Sequence, residues 1–398
     1  MKEQANLTLN ENEILDLVKD KFQKSLELRM RSDVKIGVLL SGGLDSSIIL
    51  GSLNRGGYTD IPSYSVGFEK SEAYENEFKH ARMVANCFNS ELHEVVVTEN
   101  DFFKLLPKMA YFMDEPIADT ANIPLYLVSR RAQADHVKVL LSGEGADELF
   151  VGYEHWRLIY QFEKFMRNRP NLAAVLHFLH KKSFLKNKGS HYQMWAYKIK
   201  NKWPVFWGGT ELGTEKDKRG ALSETFLEKI GDYNSFDPFK DLYASMEEQK
   251  PYDTFKWMSI LDLQNRLPDF LLARLDRMTM AASVEGRNPF LDENLIELAL
   301  RISPELKIKE KKEKYILKKA FTDLLPDEII NRKKDSFSVP MKQLFAPARI
   351  NEYRELIYEF NARTKIFKED YLERIEKPEN IKEYWNVLNL ALWYEQHN

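Results

Sequence analysis

Two short stretches carry residues whose types and spacing could do chemistry. The first, residues 41–47, reads SGGLDSS between two apolar runs. Gly42 and Gly43 let the backbone bend sharply and let an anion approach it closely. A helix from Ser46 onward brings free N–H groups and a partial positive charge. Ser41, Ser46 and Ser47 add hydroxyl donors, and the whole is a phosphate cradle. It lacks the lysine of a Walker A loop and is not a GxGxxG dinucleotide loop. Asp45 is the informative residue, because two like charges about 4 Å apart repel by about 4 kcal/mol at an effective dielectric near 20. It is tolerated beside a polyphosphate only with a cation such as Mg2+ between them. The plainer alternative is a tight turn with a helix cap.

The second stretch, LSGEGADELF at residues 141–150, is another flexible turn, with Ser142, Gly143 and Gly145. It supplies three carboxylates: Glu144, Asp147 and Glu148. Helix capping is one use for Asp147 and Glu148, and for Glu148 both readings stay open. For Asp147 a metal role is expected, since Mg2+ takes its ligands from few carboxylates plus phosphate oxygens.

The elements around these loops say why they should meet. Asn10 and Glu13 form a capping-box pattern, and Ile14, Val18, Phe22, Leu26 and Met30 then recur every fourth residue as one face of a helix. A strand at 35–40, the first loop and a helix to about 54 follow. Strands are expected at 61–68, 92–98 and 137–141, and helices at 75–88, 101–113 and 123–134. This alternation predicts an α/β fold, a parallel twisted sheet flanked by helices. Ligands of such sheets bind at the carboxyl ends of the strands, where both loops lie. Residues 10–155 are read as this core. Residues 156–250, with Trp195, Trp203 and Trp207, are read as a helical insertion or subdomain. Residues 251–398 are read as a largely helical C-terminal part that completes the site.

Composition excludes several classes. The chain has 398 residues, 43% hydrophobic and 30% charged, with net charge −3. No global basic field points to nucleic acid. Seven lysines between His180 and Lys202 are read as a solvated face. Cys87 is the only cysteine, so neither an internal disulfide nor a cysteine metal site is expected, which suits the cytoplasm. No signal peptide is visible and no run of about 18 apolar residues predicts a membrane span.

SGGLDSS resembles the pyrophosphate loop of the N-type ATP pyrophosphatases, which adenylate a substrate group and release pyrophosphate. The remaining motifs narrow the likeness. LSGEGADELFVGY at 141–153 looks like the asparagine synthetase family, as do DEPIADTANIPLYLVSRRA at 114–132 and LPDFLLARLDRMTMAASVEGRNPFLD at 267–292. So do EKYILKKAF with LLPDEIINRKKDSFSVP within 313–340, and WNVLNLALW at 385–393. The match runs from about 10 to 160 and from 252 to 395.

This resemblance implies the adenine nucleotide alpha hydrolase-like fold, with ATP and Mg2+. A carboxylate becomes an adenylate, and ammonia or an amine then displaces AMP. Ser41, Gly42, Gly43, Ser46 and Ser47 would hold pyrophosphate, with Lys314. Asp45 and Asp147 would hold Mg2+. Leu40, Val66 and Gly67 would border adenosine, with Ser142 and Gly143 beside the ribose or α-phosphate. Glu144 would act on the attacking nitrogen and Lys334 would neutralise developing charge. Asp276, Arg277, Glu285 and Arg287 are expected to form a buried charged network. Aspartate is the expected acceptor; a sugar acid or natural-product carboxylate is the alternative, and a non-catalytic scaffold is disfavoured because Asp45, Asp147, Glu144 and Lys334 are all present. The family's N-terminal glutaminase is not expected in this chain, where residue 2 is lysine. Ammonia would come from solution or a separate glutaminase subunit, and a homodimer is left open. Val151, Gly286, Asn288, Ser336 and Ser338 depart from the family pattern near the expected acceptor pocket.

Overall fold

The computed structural model describes residues 7–69, 72–167, 195, 198, 203–208, 215–248, 253–332 and 339–398, with 72–77, 167 and 247 as backbone. The chain opens with α1 (Glu11–Arg29). Its capping box forms as the sequence predicts. Asn10 Oδ1 accepts from the Glu13 N–H at 3.1 Å, and Glu13 Oε2 accepts from the Asn10 N–H at 2.8 Å. Ile14, Val18, Phe22 and Leu26 form its buried stripe.

Alternating elements follow: β1 (Ile36–Leu39), α2 (Leu44–Arg55), β2 (Ser63–Phe68), α3 (Glu72–Cys87) and β3 (Leu92–Val97). Next come α4 (Glu99–Phe112), α5 (Asn122–Ala134), β4 (Val139–Leu141), α6 (Ala146–Phe150) and α7 (Glu154–Arg167). The helix after the first loop begins at Leu44, two residues earlier than its sequence pattern suggests. With β5 (Glu285–Arg287), the strands form one parallel sheet in the order β3–β2–β1–β4–β5. The edge strand β5 comes from the part of the chain expected to be helical. It pairs with β4 through Val139–Glu285 and Leu141–Arg287.

The order places the site. The chain runs outward from β1 to β2 and β3, then returns to lay β4 on the other side of β1. The crevice between the carboxyl ends of β1 and β4 is the topological switch point, where such sheets bind ligands. Apolar cores lie on either face. One packs α1, α2 and the helix Glu293–Arg301 against β1 and β4. The other packs α4, α5 and the C-terminal helix Ile381–His397 against β2. A third, aromatic core lies beyond α6, where Trp156, Trp195, Trp207 and Trp257 are buried together. No helix among the described residues is long and apolar enough to cross a membrane.

Candidate active site

The first loop is folded by its own serines. Ser46 Oγ accepts from the Ser41 N–H at 3.2 Å, and Ser47 Oγ donates to the Gly43 carbonyl at 2.7 Å. Both hydroxyls are therefore committed to shaping the turn, and both side chains are buried. Gly43 precedes α2 and brings no capping side chain, so the first-turn N–H groups remain available to an anion. From the far end of the chain, Arg332 Nη1 donates to the Gly42 carbonyl at 3.0 Å and pins the loop's lip. The sequence reading did not single out this arginine.

The second loop lies against the first. A Cβ on Gly143 would sit 3.0 Å from Asp45 Cβ, so only glycine lets the two turns approach this closely. Lys314, expected at pyrophosphate, lies in the middle. Its Nζ is 2.6 Å from both Asp45 oxygens and 2.7 Å from Asp147 Oδ1. Burial pushes this ammonium's pKa down, but the charges of Asp147 and Asp45 outweigh burial and hold it well above the ordinary lysine range. Lys314 takes a left-handed backbone, φ +54°. Gly152 passes directly over the pair: a Cβ there would lie 1.8 Å from Asp147 Oδ1 and 2.3 Å from Lys314 Cε. Val151, at φ +59°, turns the chain into that path, a conformation a β-branched residue seldom adopts.

The residues fit Mg2+ in kind. Two carboxylates converge on one cationic atom while staying partly open, at 20% and 18% side-chain exposure. Among the described residues no cluster of three or more His, Cys, Asp or Glu side chains is arranged to hold a metal. Two carboxylates completed by phosphate oxygens are a usual Mg2+ arrangement. The Lys314 ammonium stands between them as the neutralising charge.

Glu144 is held by a residue the sequence reading passed over. Arg274 Nη2 donates to Glu144 Oε1 at 2.5 Å, and Arg274 Nη1 donates to Asp119 Oδ2 at 2.6 Å. Burial alone would lower the pKa of Arg274, and the Glu144 and Asp119 charges raise it. Asp119 lies on the loop between α4 and α5. That loop is fastened by two tryptophans of the C-terminal helix: Trp385 Nε1 donates to Ala118 O at 2.9 Å, and Trp393 Nε1 donates to Met113 O at 3.0 Å. Glu148 points away from the crevice and is 1% exposed. Its Oε1 accepts from the Tyr153 hydroxyl at 2.6 Å and from Arg266 Nη2 at 2.9 Å. Burial, reinforced by the Asp147 charge, pushes its carboxyl up to about 7.

The buried charged network is thus made by residues other than those expected. Asp276 and Arg277 are 60% and 43% exposed, and Arg277 pairs at the surface with Asp114 and Asp276. Glu285 is 54% exposed. Arg287 joins it at 2.6 Å and donates to the Arg29 and Arg31 carbonyls. Besides Lys314 with Asp45 and Asp147, buried ion pairs among the described residues join Arg266 with Glu148 and Asp262, and Arg274 with Glu144 and Asp119. A short polar strand turns 285–287 outward at the sheet edge, whereas the preceding helix turns 266 and 274 inward.

The remaining expected residues line the same end of the sheet. Leu40 directly follows β1 and donates its N–H to Tyr64 O at 2.8 Å. Val66 and Gly67 occupy the last half of the neighbouring β2. Ser142 follows β4 and donates its N–H to Arg287 O at 2.8 Å. Lys334, Ser336 and Ser338 lie outside the described residues.

A parallel sheet with an uncapped glycine-rich turn, facing carboxylates and a buried lysine at its switch point defines a nucleotide-binding α/β protein. The comparisons place it more narrowly. Residues 17–395 match the asparagine synthase family, and the chain belongs to that family. It is 32% identical over 393 residues to glutamine-hydrolyzing asparagine synthetase 1 of Bacillus subtilis (strain 168), covering 96% of this chain and 60% of that protein. Similarity extends to asparagine synthetase 3 of the same strain, 27% identical over 80% of this chain and 47% of that one. The amidase chyE of Penicillium rubens is 26% identical over 84% of this chain and 53% of its own length. The chain therefore spans about half to three fifths of these relatives.

Proposed function

We propose that this chain is an ATP-dependent carbon–nitrogen ligase that adenylates a carboxylate and then forms an amide. The observation that carries the reading is the convergence of Asp45, Asp147 and Lys314 on the open N-terminus of α2. The turn 41–47 binds the β- and γ-phosphates through the α2 N–H groups. Leu40, Val66 and Gly67 border the adenosine, with Ser142 and Gly143 beside the ribose and α-phosphate. Mg2+, when bound by Asp45 and Asp147, neutralises the phosphate oxygens. Lys314 then has an anion to turn to, and with Lys334 it balances charge on the departing pyrophosphate.

In the first step a substrate carboxylate oxygen bonds to the α-phosphorus and the bond to the β-phosphate bridging oxygen breaks. In the second step ammonia attacks the acyl carbon and AMP leaves with its bonding pair. Glu144, fixed by Arg274, lies at the lip of the second turn to orient the nitrogen and accept its proton. Most of this work is positioning and charge neutralisation.

The names of the asparagine synthetase relatives support aspartate as the acceptor, with a sugar acid or natural-product carboxylate as the alternative, and ammonia or an amine is the nitrogen donor of this reading. Ammonia would arrive from solution or from a glutaminase subunit. The test is pyrophosphate release from ATP with Mg2+ and ammonium, with and without aspartate, using Asp45→Ala as the blank. Acid-stimulated release with matching AMP, lost in the blank, is expected. A wild-type protein that neither binds Mg-ATP nor releases pyrophosphate with any carboxylate would end the proposal.

A further inference from the structure

Lys314 reaches the crevice from an unfavourable backbone. Three non-glycine residues close together in the chain are left-handed: Glu310 at φ +53°, Lys311 at +63° and Lys314 at +54°. Glu310 and Lys311 turn a two-residue hairpin. Lys309 and Lys312 close it, each donating its N–H to the other's carbonyl, at 3.3 and 2.9 Å. Hairpin turns with two left-handed residues normally draw on asparagine, aspartate and glycine. Left-handed residues that carry a Cβ persist where their surroundings over-determine them, and they gather at functional sites.

The surroundings of Lys314 act from both sides. Before it, Glu313 Oε1 accepts from Arg157 Nε on α7 at 2.8 Å. This pair is half-sheltered from water, and Glu154 steadies the arginine from one turn earlier, at 3.1 Å. After it, the Tyr315 hydroxyl donates to Glu11 Oε1 on α1 at 2.8 Å. The same oxygen accepts from Lys319 Nζ at 2.6 Å, and Lys309 Nζ, at the base of the hairpin, donates to the Tyr315 hydroxyl at 3.2 Å. Each residue flanking Lys314 is thus tied to a helix far away in sequence. The backbone at 314 cannot turn over without breaking one of the ties.

That backbone setting decides where the ammonium goes, because the side chain has one path. Lys314 is 5% exposed, and Gly152 lies so close over its Cε that a Cβ there would be 2.3 Å away. Directly behind Lys314 begins the helix Tyr315–Ala320. Relaxation to a helical φ of about −63° would add Lys314 to that helix and swing the chain there through about 120°. The Cα–Cβ bond would then be aimed elsewhere, and the four-carbon stem would no longer thread beneath Gly152 to Asp45 and Asp147.

We propose that Arg157 and Glu11 are positioning residues for the adenylation step. Acting through Glu313 and Tyr315, they hold Lys314 left-handed, so that its ammonium is presented to Asp45, Asp147 and the departing pyrophosphate. The inference rests on the ligase reading above for what Lys314 does in the crevice.

The test is a cycle of Mg-ATP affinities by isothermal titration calorimetry. Arg157→Leu and Tyr315→Phe together release both ties, and the pair is made with Lys314 intact and again with Lys314→Met. With Lys314 intact the paired variant is expected to weaken Mg-ATP binding at least about tenfold; with Lys314→Met it should change affinity by less than about twofold. Arg157→Lys, which still offers Glu313 a single donor, is expected to stay within about threefold of the wild type. Tyr315→Phe alone serves should the paired variant fail to fold, with a loss of about threefold that likewise vanishes with Lys314→Met. A second readout needs no nucleotide: Mg2+ alone should raise the Tm of the paired variant at least about twice as much as that of the wild type, because Asp45 and Asp147 have lost their cation. Unchanged Mg-ATP affinity overturns the inference and leaves the ligase reading standing. So does an equal loss with and without Lys314, which would mean that the ties act on the fold or through their own charge. A wild type that binds no Mg-ATP removes the ligase reading itself; the Mg2+ shift then decides the positioning, and equal shifts overturn it.

Discussion

Replacing Lys314 by methionine leaves Asp45 and Asp147 facing each other with no cation. Both carboxylates lie within 2.7 Å of the same Nζ, so they are separated by no more than roughly 5 Å and repel by about 3 kcal/mol at an effective dielectric of about 20. An unfolding entropy of about 2 cal/mol/K per residue turns that into a loss of about 4 °C in Tm for a chain of this size. The pair should then act as a metal site without nucleotide. Mg2+ at about ten times its dissociation constant would restore about 1.4 kcal/mol, or about 2 °C. The wild type, whose ammonium already occupies the gap, should respond to Mg2+ by less than half as much. Thermal denaturation with and without Mg2+, on Lys314→Met and on Lys314→Met with Asp147→Asn, makes the comparison. Equal Mg2+ shifts in the wild type and Lys314→Met would refute the shared-cation argument. So would a shift that survives in the double variant.

Gly152→Ala places a methyl 1.8 Å from Asp147 Oδ1; far-ultraviolet circular dichroism should be retained while Mg-ATP affinity falls by about 100-fold, as displacements near 1 Å can cost. Lys307 is fully buried, and its Nζ has no hydrogen-bond partner. Burial brings its pKa down to about 8, against an opposing pull from Asp253 and with help from Lys256. The folded state therefore disfavours its charge, and the penalty is fully present below pH 8 and fades as pH rises toward 10.5. Lys307→Met should raise stability by about 3 kcal/mol at pH 7, and its advantage in urea denaturation should shrink by pH 10; a pH-independent gap would exclude the mechanism. Trp385→Phe removes the bond to Ala118 O at a cost of about 1 kcal/mol, and steady-state kinetics should show KM rising for the acceptor but not for ATP.

The parts of the site legible in the sequence are those whose residues are neighbours along the chain. Ser41–Ser47 and Ser142–Asp147 announce strand-to-helix turns by their glycines, and alternating strand and helix periodicity puts both at one end of a parallel sheet. The contacts between distant segments were not legible. Lys314 was assigned to pyrophosphate by its motif, but its position between two carboxylates depends on a pairing across 269 residues. Arg274 lies three residues before Arg277 in one motif, and only helix orientation decides that the former points inward to Glu144 while the latter lies at the surface. Strand β5 escaped notice because Glu285, Gly286 and Arg287 have neither apolar alternation nor β-branching; it is a strand through its backbone pairing to β4. The aromatic core of Trp156, Trp195, Trp207 and Trp257 is likewise assembled from separate segments with no common period.

The 269-residue separation between Asp45 and Lys314 also sets an order of events during synthesis. At about 5–20 residues per second, the ribosome needs some tens of seconds after making Asp45 before it delivers Lys314. During that interval β1 and β4 can pair and bring Asp45 toward Asp147 with no protein cation to separate them. The half-made crevice is an acidic notch whose occupants are whatever small cations the surroundings supply. Closure of the site is therefore an exchange, in which a tethered ammonium displaces a diffusing ion, and divalent-ion concentration becomes a variable of folding yield as well as of catalysis.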